Sequence, residues 1–390
     1  MRPGRAMLLK MTIAENLALA PLTTLGIGGP ARYYCRAADE NEAAEALAWA
    51  RARSLPVWVL GGGSNVVIAD GGLPGLVLAP AMRGRQARAL EANVVELEIG
   101  AGEPWDELAA WTVEQDLAGL ECLSGIPGSV GATPVQNVGA YGQEVAETLA
   151  SLRALDRLSG EALEFARADC GFSYRRSRFN GADAGRYLIT TVRLRLRRHG
   201  APTLRYAELR ARLGMEAAAK TAIEAAAGPA GGASLAATRA AVLALRRGKG
   251  MVIEPSDAER HTAGSFFKNP VVTPAQYEAV AQRAGAPPPR FAVNAAEEAI
   301  AAAAAAAEPI ADDAAIKIPA AWLIERAGFS KGYRRGRAGI SSRHALALVN
   351  YGGASAAELL ALAREITAGV RERFAIELRQ EPVLLGFEES

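Results

Sequence analysis

Ser124-Gly125-Ile126-Pro127-Gly128-Ser129-Val130-Gly131-Ala132, with Gln136-Asn137-Val138-Gly139-Ala140-Tyr141-Gly142 close behind, is the stretch whose reading decides the fold. Glycine recurs here in a region with little charge, which suits extended backbone lying along a large planar cofactor. A second loop, Gly61-Gly62-Gly63-Ser64-Asn65, follows directly on the apolar run Val57-Trp58-Val59-Leu60. At such a strand end, backbone amides can approach a pyrophosphate without Cβ interference. The spacing is not Gly-x-Gly-x-x-Gly, and the next segment, Val66-Val67-Ile68, reads as a strand instead of a helix, so this is not a dinucleotide-fold fingerprint. Alone, the 61–65 loop reads as a tight turn between strands. The second loop tips the pair towards cofactor binding.

Working outward, helices and strands alternate. Glu40–Arg53 has helical periodicity with Ala44, Leu47 and Ala48 on one face. Strands are expected at Gly75–Leu78 and Val94–Ile99, and a helix at Glu103–Glu114. Leu188, Thr190, Val192, Leu194 and Leu196 alternate with Ile189, Thr191, Arg193, Arg195 and Arg197, the pattern of a half-buried strand with a basic outer face. A mixed α+β domain of residues 1–198, in subdomains of about 1–80 and 81–198, ends there. Residues 199–250 read as a linker with helices at Glu216–Ala227 and Thr238–Arg247, separated by the glycine-rich break 228–234. A smaller α+β domain, 251–390, follows. It has helices near 274–284, 295–307, 320–326 and 356–373, and strands at 345–349 and 377–385.

Composition bounds the function. The 44 basic and 42 acidic residues of the 390 nearly balance, and no basic run is interleaved with aromatics, which argues against nucleic acid. Only six basic residues are lysines: Lys10, Lys220, Lys249, Lys268, Lys317 and Lys331. Cys35, Cys122 and Cys170 are odd in number and scattered, as are His199, His261 and His344, so neither a disulfide framework nor a metal site is expected. A reducing, cytoplasmic setting fits. No apolar run of about 18 residues suggests a spanning helix, and the stretch after Lys10 is broken by Thr12, Glu15 and Asn16, unlike an export signal.

Three further segments carry chemistry. Gly264-Ser265-Phe266-Phe267-Lys268-Asn269-Pro270 places a small hydroxyl, read as buried, beside an apolar wall, with polar groups at its rim. Tyr174-Arg175-Arg176-Ser177 and the lone Glu381, read within the last strand, are the others. With the glycine loops, they resemble the flavoprotein UDP-N-acetylenolpyruvoylglucosamine reductase family over roughly residues 20–386. The insertions near 214–236 and 295–312 match least.

The resemblance implies a two-lobed FAD-binding domain of the type shared by a broad oxidoreductase group, plus a C-terminal substrate domain. It implies an NADPH-dependent reduction of UDP-N-acetylglucosamine enolpyruvate to UDP-N-acetylmuramate in peptidoglycan precursor synthesis, with no membrane and no obligate protein partner. Cofactor contacts then fall on Gly61, Gly62, Gly63, Ser64, Asn65, Ser124, Gly125, Ile126, Pro127, Gly128, Ser129, Gly131, Ala132, Gln136, Asn137, Gly139, Ala140, Tyr141 and Ile189. No histidine precedes His199 to tether the flavin, so FAD is expected to be dissociable. By the same resemblance Arg175, beside Tyr174, binds the enolpyruvyl carboxylate, Ser265 is the proton donor, and Glu381 completes the catalytic set. Gln380 stands where the family pattern Glu-Pro-Glu-Val has proline, and Pro382 follows the glutamate instead, which predicts a local difference in backbone. Tyr206, Lys249 and Asn269 match substrate-contacting positions. Arg246 and Arg247 read as an exposed helix end complementing the dipole, and Lys317, Arg343 and His344 receive no role. Two alternatives remain at this point: another oxidase of the same flavin group, and a non-catalytic nucleotide-sugar-binding protein.

Overall fold

The computed structural model describes residues 11–215, 232–291 and 315–387, so the helices expected at 216–227 and 295–307 lie outside the described residues. The chain divides into two compact units. The first comprises Met1–Ala18, Pro30–Gly62 and Gly72–Leu243, and the second comprises Leu19–Gly29, Gly63–Gly71 and Ala244–Ser390. Both mix helices and strands, in keeping with the α+β class.

The first unit holds two sheets. In one, Ile13–Ala18 runs antiparallel to Pro30–Ala37, which pairs in parallel with Leu73–Pro80 and, beyond it, Val57–Val59. Helix Glu40–Arg51 lies on this sheet, burying Ala43, Ala46, Leu47 and Ala50. Its start is fixed by Asp39, whose carboxylate accepts from the Glu42 N–H at 2.9 Å. In the other sheet, Ala162–Ala166, Leu149–Asp156, Tyr187–Arg198, Val94–Gly100 and Arg85–Glu91 are antiparallel in that order, and Leu117–Ala118 pairs with the end of Tyr187–Arg198. The expected alternation holds from Thr190 onward: Thr190, Val192, Leu194 and Leu196 are buried and Arg195 and Arg197 exposed, whereas Ile189, expected on the outer face, is buried like Leu188.

The basic face is compensated. Arg193 pairs with Glu98 at 2.7 Å and Glu164 at 2.8 Å, and Arg195 pairs with Glu96 at 3.0 Å. Exposed pairs of this kind contribute only about 0–1 kcal/mol each, but they remove the positive stripe. The helix expected from Glu103 begins at Trp105, because Pro104 takes the N-cap and Glu103 turns away to Gly84 and Arg85.

The second unit is built on an antiparallel sheet ordered Thr262–Ser265, Ala347–Asn350, Ala338–Ile340, Arg334–Arg335. Helices Pro274–Ala284, Ala320–Arg326 and Ala356–Phe374 enclose its core. Three expectations need correction. Ser265 ends a strand instead of lying in a loop, and it is half-buried, not buried. Phe266 and Phe267 are fully buried core residues in edge-to-face contact at 5.3 Å, not a pocket wall. The final strand is only Val383–Leu385, paired in parallel with Val66–Ile68, so Glu381 precedes it. Pro382 supplies no N–H, which limits how far the ladder can extend. Among the described residues no helix is long and apolar enough to cross a membrane.

Candidate active site

In the first unit the two glycine loops meet backbone to backbone. A Cβ on Gly62 would lie 2.5 Å from Gly128 Cα and 2.9 Å from its carbonyl carbon. One on Gly61 would lie 2.9 Å from Ser129 Oγ, and one on Gly131 2.5 Å from Ala101 Cβ. Gly125 and Gly128 also sit at φ +74° and +124°, where a side chain is strained. The second loop is held from below: the Gly125 N–H donates to Asp106 Oδ1 at 2.6 Å, and Arg239 clamps that carboxylate with two nitrogens at 2.6 and 3.1 Å. Beside it, Pro104, Asp106, Ala110, Ile126, Pro127 and Arg239 line a cleft of about 380 Å³.

Several of the expected cofactor residues are occupied within the protein. Ser124 is buried, and its hydroxyl donates to the Glu121 carbonyl at 2.7 Å. Asn137 is buried at φ +45°. Its Nδ2 donates to Glu144 Oε2 at 2.8 Å and the Ser173 carbonyl at 3.1 Å, and its Oδ1 accepts from the Ala146 N–H at 3.0 Å. Its side chain therefore organises the loop. Ala132 closes a short 3-10 turn, Gln136 lies half-buried in the next one, and Ile189 packs in the core with Ile99 and Phe165.

Two tight turns present the remaining candidates of this unit. Gly139–Ala140 pairs with Gln143–Glu144 across Tyr141 and Gly142, which have φ of +50° and +81° as a two-residue hairpin of this twist requires. Tyr141 at its tip packs edge-on against Tyr206 at 5.3 Å. The segment before Tyr206 is docked by the buried Glu121, which accepts from the Thr203 N–H at 2.7 Å and Gln143 Nε2 at 3.0 Å.

The second turn is closed by Ser173 and Arg176, which exchange backbone bonds at 3.0 and 3.1 Å, with Tyr174 and Arg175 at its tip. Arg175 has φ +54°. A non-glycine residue held there stores on the order of 1 kcal/mol of strain, and such strain clusters at functional sites. Its guanidinium lies 5.3 Å from the Tyr174 ring centroid, and Nη1 would be 3.2 Å from a Cβ on Gly139. Glycine at 139 thus leaves room for that arginine.

In the second unit a two-stranded contact brings Ser265 and Glu381 to neighbouring positions. The Lys268 N–H donates to the Arg379 carbonyl at 2.9 Å, and the Glu381 N–H to the Phe266 carbonyl at 2.8 Å. The bridge between Phe267 and Gln380 uses neither residue's own amide. Glutamine in place of the family's proline therefore leaves the pairing intact. Gly264, at φ +73°, opens the bulge that separates the paired positions Thr262 and Ser265. Asn65 donates from Nδ2 to the Glu381 carbonyl at 3.3 Å. Asn269 Oδ1 accepts from the Ala320 N–H at 2.9 Å, capping the helix Ala320–Arg326.

Lys249 follows the helix Leu235–Gly248 and is half-buried. The expectation for Arg246 is wrong: it is buried and donates to the Met251 carbonyl at 2.9 Å, whereas Arg247 is exposed and pairs with Glu254. Gly250, at φ +65°, lies against the Arg343 guanidinium, whose Nε would be 2.9 Å from a Cβ there. Arg343 is in turn paired with Asp257 and Glu259.

Burial pushes the Glu259 carboxyl upward. The Ser341 hydroxyl at 2.5 Å, the Ser342 N–H at 3.0 Å and the Tyr351 hydroxyl at 3.0 Å outweigh this and hold it at about 2. A depressed folded value stabilises above the ordinary carboxylate range, and that stability fades as pH falls from about 4.5 towards 2. Glu259→Gln is expected to lower stability by roughly 2–3 kcal/mol at neutral pH. Thermal unfolding should show this gap narrowing below pH 4.5; an equal gap at every pH would reject the assignment.

Sequence reading missed Asp106, Arg239, Glu121 and Glu259, and gave Arg343 no role. Of these only Glu121, a lone acid inside Leu120–Leu123, carried a signal, since an isolated acid in an apolar run is buried only when partnered.

Comparison with known proteins bears on this geometry. The pattern describing the C-terminal domain of UDP-N-acetylenolpyruvoylglucosamine reductase matches residues 254–385, and that of an FAD binding domain matches residues 31–166. A UDP-N-acetylenolpyruvoylglucosamine reductase of Streptomyces coelicolor is 45% identical over 381 residues, covering 95% of this chain and 90% of the relative. One from Thermobifida fusca is 42% identical over 376 residues, covering 96% and 98%. The crystal structure of UDP-N-acetylenolpyruvylglucosamine reductase from Thermus caldophilus superposes with a TM-score of 0.60 at 25% identity, covering 96% of this chain and 99% of that one.

Proposed function

Because the chain belongs to the UDP-N-acetylenolpyruvoylglucosamine reductase family, we propose that it is an FAD-dependent oxidoreductase that uses NADPH to reduce UDP-N-acetylglucosamine enolpyruvate to UDP-N-acetylmuramate for peptidoglycan. The residues present fit the cofactor. The approach of Gly62 to Gly128 forms a cradle of bare backbone that any Cβ would fill. Gly61, Gly62 and Ser124–Ala132 of the first unit would hold the pyrophosphate and Gln136–Tyr141 the adjoining part of the flavin, with backbone amides as the donors. When bound there, FAD would supply the redox chemistry, the relay of hydride from NADPH to the methylene carbon of the enol ether.

The remaining work falls to side chains. Arg175 grips the substrate carboxylate with its fixed, always-charged fork and steadies the negative charge that grows beside it. Its placement at the tip of a strained turn, backed by Gly139, supports that role. Tyr174 flanks the guanidinium. Ser265 holds the proton delivered to the carbon next to the carboxylate. Glu381 assists it, and Lys249, Tyr206 and Asn269 bind the nucleotide sugar. The observation that carries the reading is the backbone pairing of 266–268 with 379–381, which sets Glu381 beside the residue following Ser265. Cys35, Cys122 and Cys170 are free and buried, which supports placing the enzyme in the reducing cytoplasm.

The direct test is NADPH consumption by the yellow, purified protein with and without the enolpyruvyl nucleotide sugar. Consumption independent of that substrate would overturn the assignment. Lys249→Ala and Tyr206→Phe are each expected to raise KM more than they lower kcat, because both act away from the reacting carbons. An unchanged KM in both variants would remove them from the site.

A further inference from the structure

Glu381 has its backbone held on both sides. Its N–H donates to the Phe266 carbonyl at 2.8 Å, and its carbonyl accepts from Asn65 Nδ2 at 3.3 Å. The next residue, Pro382, is buried and has no N–H. The one after, Val383, donates to the Asn65 carbonyl at 3.0 Å. Asn65 therefore spans the proline with one side-chain bond and one backbone bond, and Val66–Ile68 continues from it in parallel register with Val383–Leu385. The short strand fixes Val383 onward, and the bond to Phe266 fixes the Glu381 nitrogen. The Asn65 amide holds the carbonyl of the peptide between Glu381 and Pro382, and the orientation of that peptide governs where the glutamate side chain starts from.

We propose that Asn65 is a positioning residue for Glu381, its side-chain amide orienting the peptide that aims the glutamate carboxylate. The proposal rests on the catalytic reading of Glu381 given above. The residue type is restrictive. Aspartate at 65 has the same shape, but it sets an oxygen against the carbonyl oxygen and loses the donor. Alanine removes the contact altogether. Asn65 is also the last residue of the first glycine loop, so one residue joins a cofactor-binding segment to a catalytic side chain. Misplacing a reacting group by about 1 Å costs up to roughly 100-fold in rate, and a loss of about 10–100-fold is expected here.

The experiment is a double-mutant cycle on the holoenzyme with excess FAD, comparing wild type, Asn65→Ala, Glu381→Gln and the double variant, with Asn65→Asp alongside. Flavin reduction by NADPH and flavin reoxidation by the enolpyruvyl substrate are timed separately by rapid mixing. FAD affinity is measured by flavin fluorescence. Asn65→Ala and Asn65→Asp should both slow reoxidation more than reduction. The double variant should reoxidise no more slowly than Glu381→Gln alone, since Asn65 has nothing left to act through. Losses that multiply would overturn the proposal, as would a defect in Asn65→Ala that is confined to FAD affinity. Wild-type reoxidation by Glu381→Gln itself would instead overturn the catalytic reading of Glu381, and this inference with it.

Discussion

Ser265→Ala is expected to fold, hold FAD and accept hydride from NADPH, yet to fail in passing reducing equivalents to the enolpyruvyl substrate. Its fold should survive because the bonds that place this residue belong to the backbone. Ser265 pairs with Ala347, and the Phe266 N–H donates to the Leu346 carbonyl at 2.8 Å. Phe266 and Phe267 anchor the following segment in the core whatever stands at 265. Deleting one oxygen from a half-buried position therefore removes chemistry and little packing. Loss of a positioned proton donor costs about 10²–10⁴-fold, and all of it should fall on the second half-reaction. The measurement is stopped-flow reoxidation of enzyme reduced beforehand with NADPH. Ser265→Cys, which keeps a transferable proton, should retain more activity than alanine. Reoxidation of Ser265→Ala at the wild-type rate would return the serine to a plain strand-end residue.

What the sequence disclosed and what it hid divide along the range of the interactions. The helix Pro274–Ala284 is written locally: Thr273 and Gln276 form a capping box, Pro274 occupies the first turn, and Gly285 ends it at φ +69°. The long strand Tyr187–Arg198 is legible because one of its faces is buried, so period-two alternation survives. Arg85–Glu91 is not legible. It is an edge strand exposed along nearly its whole length, held by Val94–Gly100 and by no pattern of its own. The last strand is read too long for a related reason. Residues 377–385 look uniformly strand-like, but the partner of Val383–Leu385 lies more than 300 residues away, and only three residues find it.

The site follows the same rule. The glycine loops are composition signals that survive in one dimension, and Tyr174-Arg175 and Gly264-Ser265 are short local motifs legible through the family resemblance. The Asp106–Arg239 clamp under Gly125, the stacking of Arg343 on Gly250, and the Asn65 bond to Glu381 across 316 positions exist only after folding. The same holds for the strained turn under Arg175. No residue near it forces a positive φ by type, and the conformation follows from the backbone bonds between Ser173 and Arg176.

Gly62 carries the other large expectation: Gly62→Val should purify colourless while remaining folded, and Gly62→Ala should bind FAD markedly more weakly. At this position the obstacle is backbone. The new Cβ would stand 2.5 Å from Gly128 Cα, 2.9 Å from its carbonyl carbon and 3.1 Å from the Ser129 nitrogen. No flexible side-chain end is available to move aside, so the two loops must separate. Overpacking of this kind costs about 1–3 kcal/mol. If that cost is relieved by moving the amides of the second loop, it appears as a weakening of FAD binding of roughly 5–150-fold. Gly62 is itself exposed, so the cores on either side are not asked to rearrange. Gly71→Ala is the matched control: that glycine is exposed, has no positive φ, and its Cβ would meet nothing within 4 Å. Flavin content by absorbance, FAD affinity by fluorescence and the thermal midpoint of the apoprotein separate loss of the cradle from loss of the fold. Full flavin content and wild-type affinity in Gly62→Ala would mean that the close approach of the loops is only a structural turn, and that the cofactor lies elsewhere.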